Sequence, residues 1–334
     1  SALGDRERAR AILADVAVAS PGDPEIADAL GQLSLASGDA EAAAAYFSAA
    51  IADEADSAKS FLKLGLAYAA QGRVMEAESA FEKAVGLNPQ LYSADLRLAL
   101  SYFQSRDFEK ALQAAGTLRQ KWPQRPEPVN LEAISLYALG QEAQAVTTLE
   151  QGLLAFPGNP ELSHNLATIV INRDADLERA RELYLAAIER NPDSEATLMR
   201  LAQLEFASGN EHKAKELVEK AVEVNPDSVD ARVTLATYYL KHNQPREAKR
   251  VVDGIKGKAE SDHGLLTVRG RIALAMRDAD GARAAFTRLL QQNPSSLEMR
   301  LLLARAEEMA GRIDVASSLV DEILQGSPGS LGAR

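Results

Sequence analysis

The chain repeats itself every 34 residues, and a period of that length implies stacked supersecondary units in place of one closed core. The register is clearest in AKSFLKLGLAYAAQGRVMEAESAFEKAVGLNP, residues 58–89. Counted from Ala58, Leu64, Gly65 and Tyr68 share one face of a first helix. Ala77, Phe81 and Ala84 share a face of a second helix, and Pro89 closes it. Steps of 34 in both directions recover this layout, with one extra residue near Asn172–Asp176. The result is nine units: 24–57, 58–91, 92–125, 126–159, 160–194, 195–228, 229–262, 263–296 and 297–330. Each opens its second helix on a small residue: Ala43, Ala77, Ala111, Ala145, Ala180, Ala214, Ala248, Ala282 and Ala316. At 334 residues the chain also exceeds what a single core usually fills, roughly 250–300 residues.

The recurring positions have physical reasons. Gly65 and Ala77 are small where the two helices of a unit must approach closely. Between the helices stand Gly38, Gly72, Gly140, Gly209 and Gly311, with Asn243 once in that role, all suited to a left-handed helix end. Units close on Asn88-Pro89, Asn191-Pro192, Asn225-Pro226 and Asn293-Pro294, where proline cannot continue a helix. Asp193, Asp227 and Ser295 follow and are expected to cap the next first helix.

Two regions depart from the pattern. Residues 1–23 read as an isolated second helix, with Ala9, Leu13 and Val16 at its packing positions and Pro21 as terminator. At the other end Ser327-Pro328 closes a unit and Ser330-Leu331 resembles the start of another, so an excerpt of a longer array is expected. Inside the array, residues 253–264 place Gly254 and Gly257 where a second helix should be firm, which predicts a softer joint there.

Composition excludes several functions. There is no cysteine, so disulfides, thiolate chemistry and cysteine zinc sites are all ruled out. A net charge of −11 disfavours nucleic acid or anionic lipid as partner, and no apolar run is long enough to span a membrane. Nucleophile-elbow, phosphate-loop and dinucleotide glycine motifs are missing. His164, His212, His242 and His263 are scattered over distant units, so no metal site, cofactor or catalytic residue is expected. The chain reads as a holder of another molecule and not as an enzyme.

The Leu-Gly…Tyr…Ala…Phe…Ala…Pro signature, complete at residues 58–91 and partial elsewhere, resembles the tetratricopeptide repeat family over essentially the whole chain. The family's usual tryptophan near the start of the first helix is replaced, for example by Phe61. The resemblance implies an all-α, right-handed superhelical solenoid of helix-turn-helix repeats whose first helices line a concave groove. Its fifth, sixth and ninth first-helix positions would then be Leu62, Lys63 and Leu66; Leu96, Arg97 and Leu100; and Asn130, Leu131 and Ile134. Further along come His164, Asn165 and Thr168; Met199, Arg200 and Gln203; and Val233, Thr234 and Thr237. The set ends with Thr267, Val268 and Arg271, then Leu301, Leu302 and Arg305.

Two readings of this face stand side by side. In one, the apolar residues pack between first helices and the cations pair with acids such as Glu127 or Glu161. In the other, apolar rungs and cationic posts hold an extended protein or peptide segment bearing carboxylates, centred on Leu62 to Ile134. The Lys/Asn clamp of co-chaperone repeats does not fall at matching positions.

Residues 96–140 narrow the resemblance. Their Leu96-x-Leu98-x-Leu100-Ser101-Tyr102 helix, Phe108-x-Lys110-Ala111-Leu112 start and proline-rich junction at 122–128 are similar to the lipoproteins of the bacterial exosortase, or PEP-CTERM, system. That resemblance implies a periplasmic, lipid-anchored scaffold associated with exopolysaccharide export and surface-protein sorting. A cytoplasmic peptide-binding adaptor and a direct polysaccharide binder, with Phe103, Tyr137 and Phe206 as its aromatics, remain the alternatives.

Overall fold

The computed structural model describes residue 12, residues 23–53 and residues 57–326. The expected second helix within residues 1–22 and the closing Ser327-Pro328 and Ser330-Leu331 lie outside the described residues, residue 12 apart. The chain divides into two compact units, Ser1–Ala175 and Asp176–Arg334. In the first, the helices are α1 (Pro24–Ala36), α2 (Ala40–Asp53), α3 (Ala58–Ala70), α4 (Val74–Leu87), α5 (Tyr92–Gln104), α6 (Phe108–Lys121), α7 (Pro126–Ala138), α8 (Glu142–Ala155) and α9 (Pro160–Asp174). In the second they are α10 (Leu177–Arg190), α11 (Glu195–Ala207), α12 (Glu211–Val224), α13 (Val229–Lys241), α14 (Pro245–Val252), α15 (His263–Ala275), α16 (Ala279–Gln292), α17 (Leu297–Met309) and α18 (Ile313–Gly326). There is no strand among the described residues. Within each unit every helix packs on the next in the chain, the sequential contact of an all-α solenoid. The division falls at Ala175, a left-handed residue (φ 52°) within the one-residue insertion of the repeat.

Small residues set how closely the helices approach. The alanines opening the second helices, Ala43 to Ala316, are all buried. Gly31, Gly65 and Gly270 each lie against the ring of a buried phenylalanine: Phe47, Phe81 and Phe286. A Cβ at Gly65 would stand 2.4 Å from Phe81 Cε1, closer than any side chain can approach.

The turn inside a unit is left-handed, as at Gly72 (φ 73°) and at Asn243 (φ 56°). Arg106 and Arg277 take the same conformation with φ 64° and 61°, although neither is a turn residue by composition. The caps differ from expectation by one position. Ser194, Ser228 and Ser296, not Asp193, Asp227 and Ser295, accept from the helix backbones, at Thr197, Ala231 and Met299. The cause is a turn from Asn to Ser, in which the Ser228 amide donates to the Asn225 carbonyl at 3.0 Å. The Asp227 amide donates to Asn225 Oδ1, which holds the aspartate inside the turn.

At residues 253–262 the second helix is cut short. Here α14 has 8 residues against 14 in α12 and α16. Gly254 (φ 87°) and Gly257 (φ 75°) redirect the chain into a short 3-10 turn, Gly257–Ser261. Ile255 folds back into the core beside Val252 and Leu265. Arginines replace the lost helix bonds: Arg232 donates to the carbonyls of Val251 and Asp253, both at 2.6 Å, and Arg269 donates to that of Ile255 at 2.9 Å. Few continuous backbone bonds remain, so amides at 253–262 are expected to exchange at least about tenfold faster than those of α12. Equal protection by hydrogen-exchange mass spectrometry would remove the soft joint.

Candidate partner-binding face of the first helices

In two pairs of first helices within the first unit, residue i meets residue i+35. Lys63 Nζ on α3 donates to both carboxylate oxygens of Asp28 on α1, at 2.6 and 2.7 Å. Asn165 Nδ2 on α9 donates to Asn130 Oδ1 on α7 at 2.5 Å. Further along the same two helices, Asn172 Nδ2 reaches Tyr137 Oη at 3.4 Å. In these two pairs the fifth position of one first helix faces the sixth of the next.

The cations on this face are not equivalent. Lys63 is half-buried and neutralised by Asp28, a fifth-position residue of the first repeat that the sequence pattern does not single out. Arg271 pairs with Glu298 at 2.7 Å, both exposed. Neither partner is Glu127 or Glu161, the acids expected from the sequence. Glu127 instead lies beside Tyr92, whose hydroxyl is pushed up to about 12 by burial and then by that carboxylate. Among the described residues Arg97, Arg200 and Arg305 are exposed and make no side-chain hydrogen bond or ion pair. The residue 35 positions before Arg97 is Leu62, an aliphatic side chain that offers no acceptor.

The apolar positions are only partly available. Leu62, Leu66, Leu96, Leu100 and Ile134 are half-buried, and the last three pack on the core of Ala99, Ala115, Leu118 and Leu131. Leu131 belongs to that core (2% exposed), so it leaves the groove set. Val268 (5% exposed) is likewise core, sealed by Ile255 of the joint. In the second unit Gln203 is exposed, Met199, Val233 and Thr234 are half-buried, and the Thr237 and Thr267 hydroxyls donate to their own helix carbonyls. His164 and Thr168 are half-buried on α9. Arg305 lines a cavity of about 550 Å³ with Leu301 and Leu302. The aromatics Phe103, Tyr137 and Phe206 are half-buried, Phe103 packing on Phe108 with ring centres 5.2 Å apart.

No three His, Asp or Glu side chains converge as metal ligands among the described residues, and no described helix is long and apolar enough to cross a membrane. The arrangement offers an apolar, cation-studded surface.

Comparison with known proteins agrees with the repeat. Two family models described as tetratricopeptide repeat match the chain, one over residues 62–126, 173–228 and 267–330, the other over 102–169 and 206–271. Comparison with curated proteins finds no significant match. Among solved structures, the chain is similar to TTC0263, a thermophilic TPR protein of Thermus thermophilus, with 24% identity and a TM-score of 0.45 over 55% of this chain and 100% of that one. It is also similar to human IFIT1, solved as a dimer with m7Gppp-AAAA, at 16% identity and a TM-score of 0.44, covering 91% of this chain and 90% of that one. YrrB, described as a TPR protein with an unusual peptide-binding site, is 17% identical with a TM-score of 0.36, over 55% of this chain and 95% of that one. The first of the two models alone covers more than half of the sequence, and its repeat is the one built from these helix pairs: the chain belongs to the tetratricopeptide repeat family.

Proposed function

We propose that the chain is a non-catalytic scaffold that holds a protein segment bearing carboxylates along the first helices, with Arg97 as its principal cationic post. Repeats of this family serve generally in protein–protein interaction, which supports the class. The observation that carries the reading is Arg97: exposed and unpaired among the described residues, with half-buried Leu96 and Leu100 on its own helix and Leu62 and Leu66 on the first helix of the preceding repeat. An isolated guanidinium beside apolar residues can grip a carboxylate with two hydrogen bonds while a neighbouring apolar side chain of the partner anchors between leucines. Lys63 contributes less, because a partner must first displace Asp28. The similarity of residues 96–140 to exosortase-system lipoproteins supports a periplasmic, lipid-anchored scaffold, one that would organise exopolysaccharide export or surface-protein sorting.

The test is crosslinking in native cells followed by affinity purification and mass spectrometry, with Arg97→Glu in parallel. Charge reversal at Arg97 is expected to lower recovery of the specific partner at least about tenfold, the loss of one charged contact plus a new repulsion. Recovery of envelope export or sorting components that depends on Arg97 supports both parts of the reading. Cytoplasmic partners would overturn the compartment, and partners indifferent to Arg97→Glu would overturn the face.

A further inference from the structure

A three-residue arrangement occurs in the second unit and recurs 34 residues later with one member missing. Lys215 Nζ pairs with Glu219 on α12 at 2.8 Å. The Tyr239 hydroxyl on α13 donates to Glu219 Oε1 at 3.0 Å, and Lys215 Nζ lies 5.9 Å from the centre of the Tyr239 ring. The phenol thus fills the space beside the second helix, with its hydroxyl on a carboxylate and a cation over its ring. The first unit holds a relative of this arrangement: Tyr102 on α5 donates to Glu82 on α4 at 3.0 Å, with Lys110 Nζ 5.4 Å from the ring centre.

Adding 34 to each residue number gives Lys249, Asp253 and Ala273. The cation and the acid are present and paired in the same i,i+4 way, with Lys249 Nζ 2.9 Å from Asp253 Oδ2. In place of the tyrosine, Ala273 leaves a cavity of about 420 Å³, lined on its apolar side by Leu266, Ile272 and Met276 and on its polar side by Lys249 and Asp253, with Arg269, Asp278 and Arg288 at other points of the lining. Its floor is apolar: Leu266 and Ile272 are buried, 3% and 4% exposed. The short α14, ending at Val252, leaves the cavity open beside Asp253. Cavities of ~300–1,000 Å³ with an apolar floor and a few directed polar groups are the usual form of small-ligand sites.

We propose that this cavity is a binding site for a phenolic ring, which takes the place of the missing tyrosine. The ring lies on Leu266 and Ile272, its hydroxyl donates to Asp253, and Lys249 lies over its face. A plain arene forgoes the hydroxyl–carboxylate bond. The same chemistry is offered by a free small phenol and by a tyrosine side chain of a partner peptide.

The test titrates the full chain with p-cresol, toluene and N-acetyl-tyrosinamide, following amide NMR shifts of α15 and α16. Saturable p-cresol shifts centred on Ala273, with toluene at least about tenfold weaker, are expected, and Asp253→Asn should remove about tenfold of that preference. Ala273→Tyr should abolish binding by supplying the ring internally; if that variant fails to fold, Ala273→Leu, which fills the floor with an aliphatic side chain, decides instead. Binding of N-acetyl-tyrosinamide comparable to p-cresol identifies a tyrosine side chain as the ligand, and p-cresol binding alone identifies a free phenol. Shifts that are absent, that lie elsewhere, or that persist in the filled-cavity variant overturn the site.

Discussion

Gly65→Ala is expected to destabilise the α3–α4 pair by about 3 kcal/mol, although the same substitution in an open helix stabilises. Alanine is worth up to ~1 kcal/mol over glycine in a helix interior, and that gain opposes the clash. At Gly65 the clash wins, because the new Cβ would stand 2.4 Å from Phe81 Cε1 and 2.6 Å from Cδ1. Phe81 is only 2% exposed, so the ring has nowhere to turn without parting the helices. Gly116, in the middle of α6, meets nothing within 4 Å and makes the natural control. Gly116→Ala should stabilise its helix by ~0.5–1 kcal/mol. Repeat arrays unfold in parts, so the readout is local free energy from hydrogen exchange over α3 and α4 rather than a single melting temperature. Pairing Gly65→Ala with Phe81→Leu should cost less than the sum of the two single changes, since the smaller side chain removes the clash. Strict additivity would sink the packing account.

Much of this fold is legible in the sequence because the informative signals are local and periodic. The alanine that opens each second helix, the small residue where the two helices approach and the Asn-Pro closures each act within one helix pair and return in step with the repeat. The departures come from interactions that cross between pairs. Lys63 looks like a free post in its own repeat, but Asp28, 35 residues earlier, neutralises it. The caps sit one residue later than the prolines imply, because proline alone does not give the length of the turn that follows it; the asparagine bonds do. Leu131 and Val268 occupy the same repeat position as Lys63 and Arg97, yet they are core. At that position the side chain decides: a long cation reaches solvent, whereas an aliphatic one packs on the neighbouring pair. The cavity at Ala273 is hidden for a related reason. A missing tyrosine is visible only once the residues that surround its counterparts are known.

Glu205 carries the second large effect. It stands on α11 at the position that is Tyr102 or Tyr239 in other repeats, and its side chain is fully buried. Arg181 Nε and Nη2 donate to its carboxylate at 2.8 and 3.2 Å, Lys213 Nζ lies at 3.0 Å, and Asn210 Nδ2 donates at 2.7 Å. Burial alone would push the carboxyl up, but the bonds from Arg181, Asn210 and Lys213 outweigh it and hold the group at about 2, against 4.5 when free. A folded value below the unfolded one means stability that is present above pH 4.5 and lost as pH falls toward 2. Its size is about 3 kcal/mol, from ~1.4 kcal/mol per unit. Glu205→Ala should therefore cost about 3 kcal/mol at neutral pH, because it leaves the largely buried Arg181 guanidinium with only the exposed Glu178 as its partner. Replacing both partners, Arg181→Met with Glu205→Leu, should recover most of that loss, since a buried ion pair contributes little over apolar packing of similar volume. The decisive measurement compares the wild-type chain with Glu205→Gln from pH 7 to pH 2, again by local exchange at α10 to α12. The stability gap should be widest at pH 7, narrow from pH 4.5 downward and close near pH 2; a gap that does not change with pH would show that Glu205 acts by shape and hydrogen bonding, without its charge.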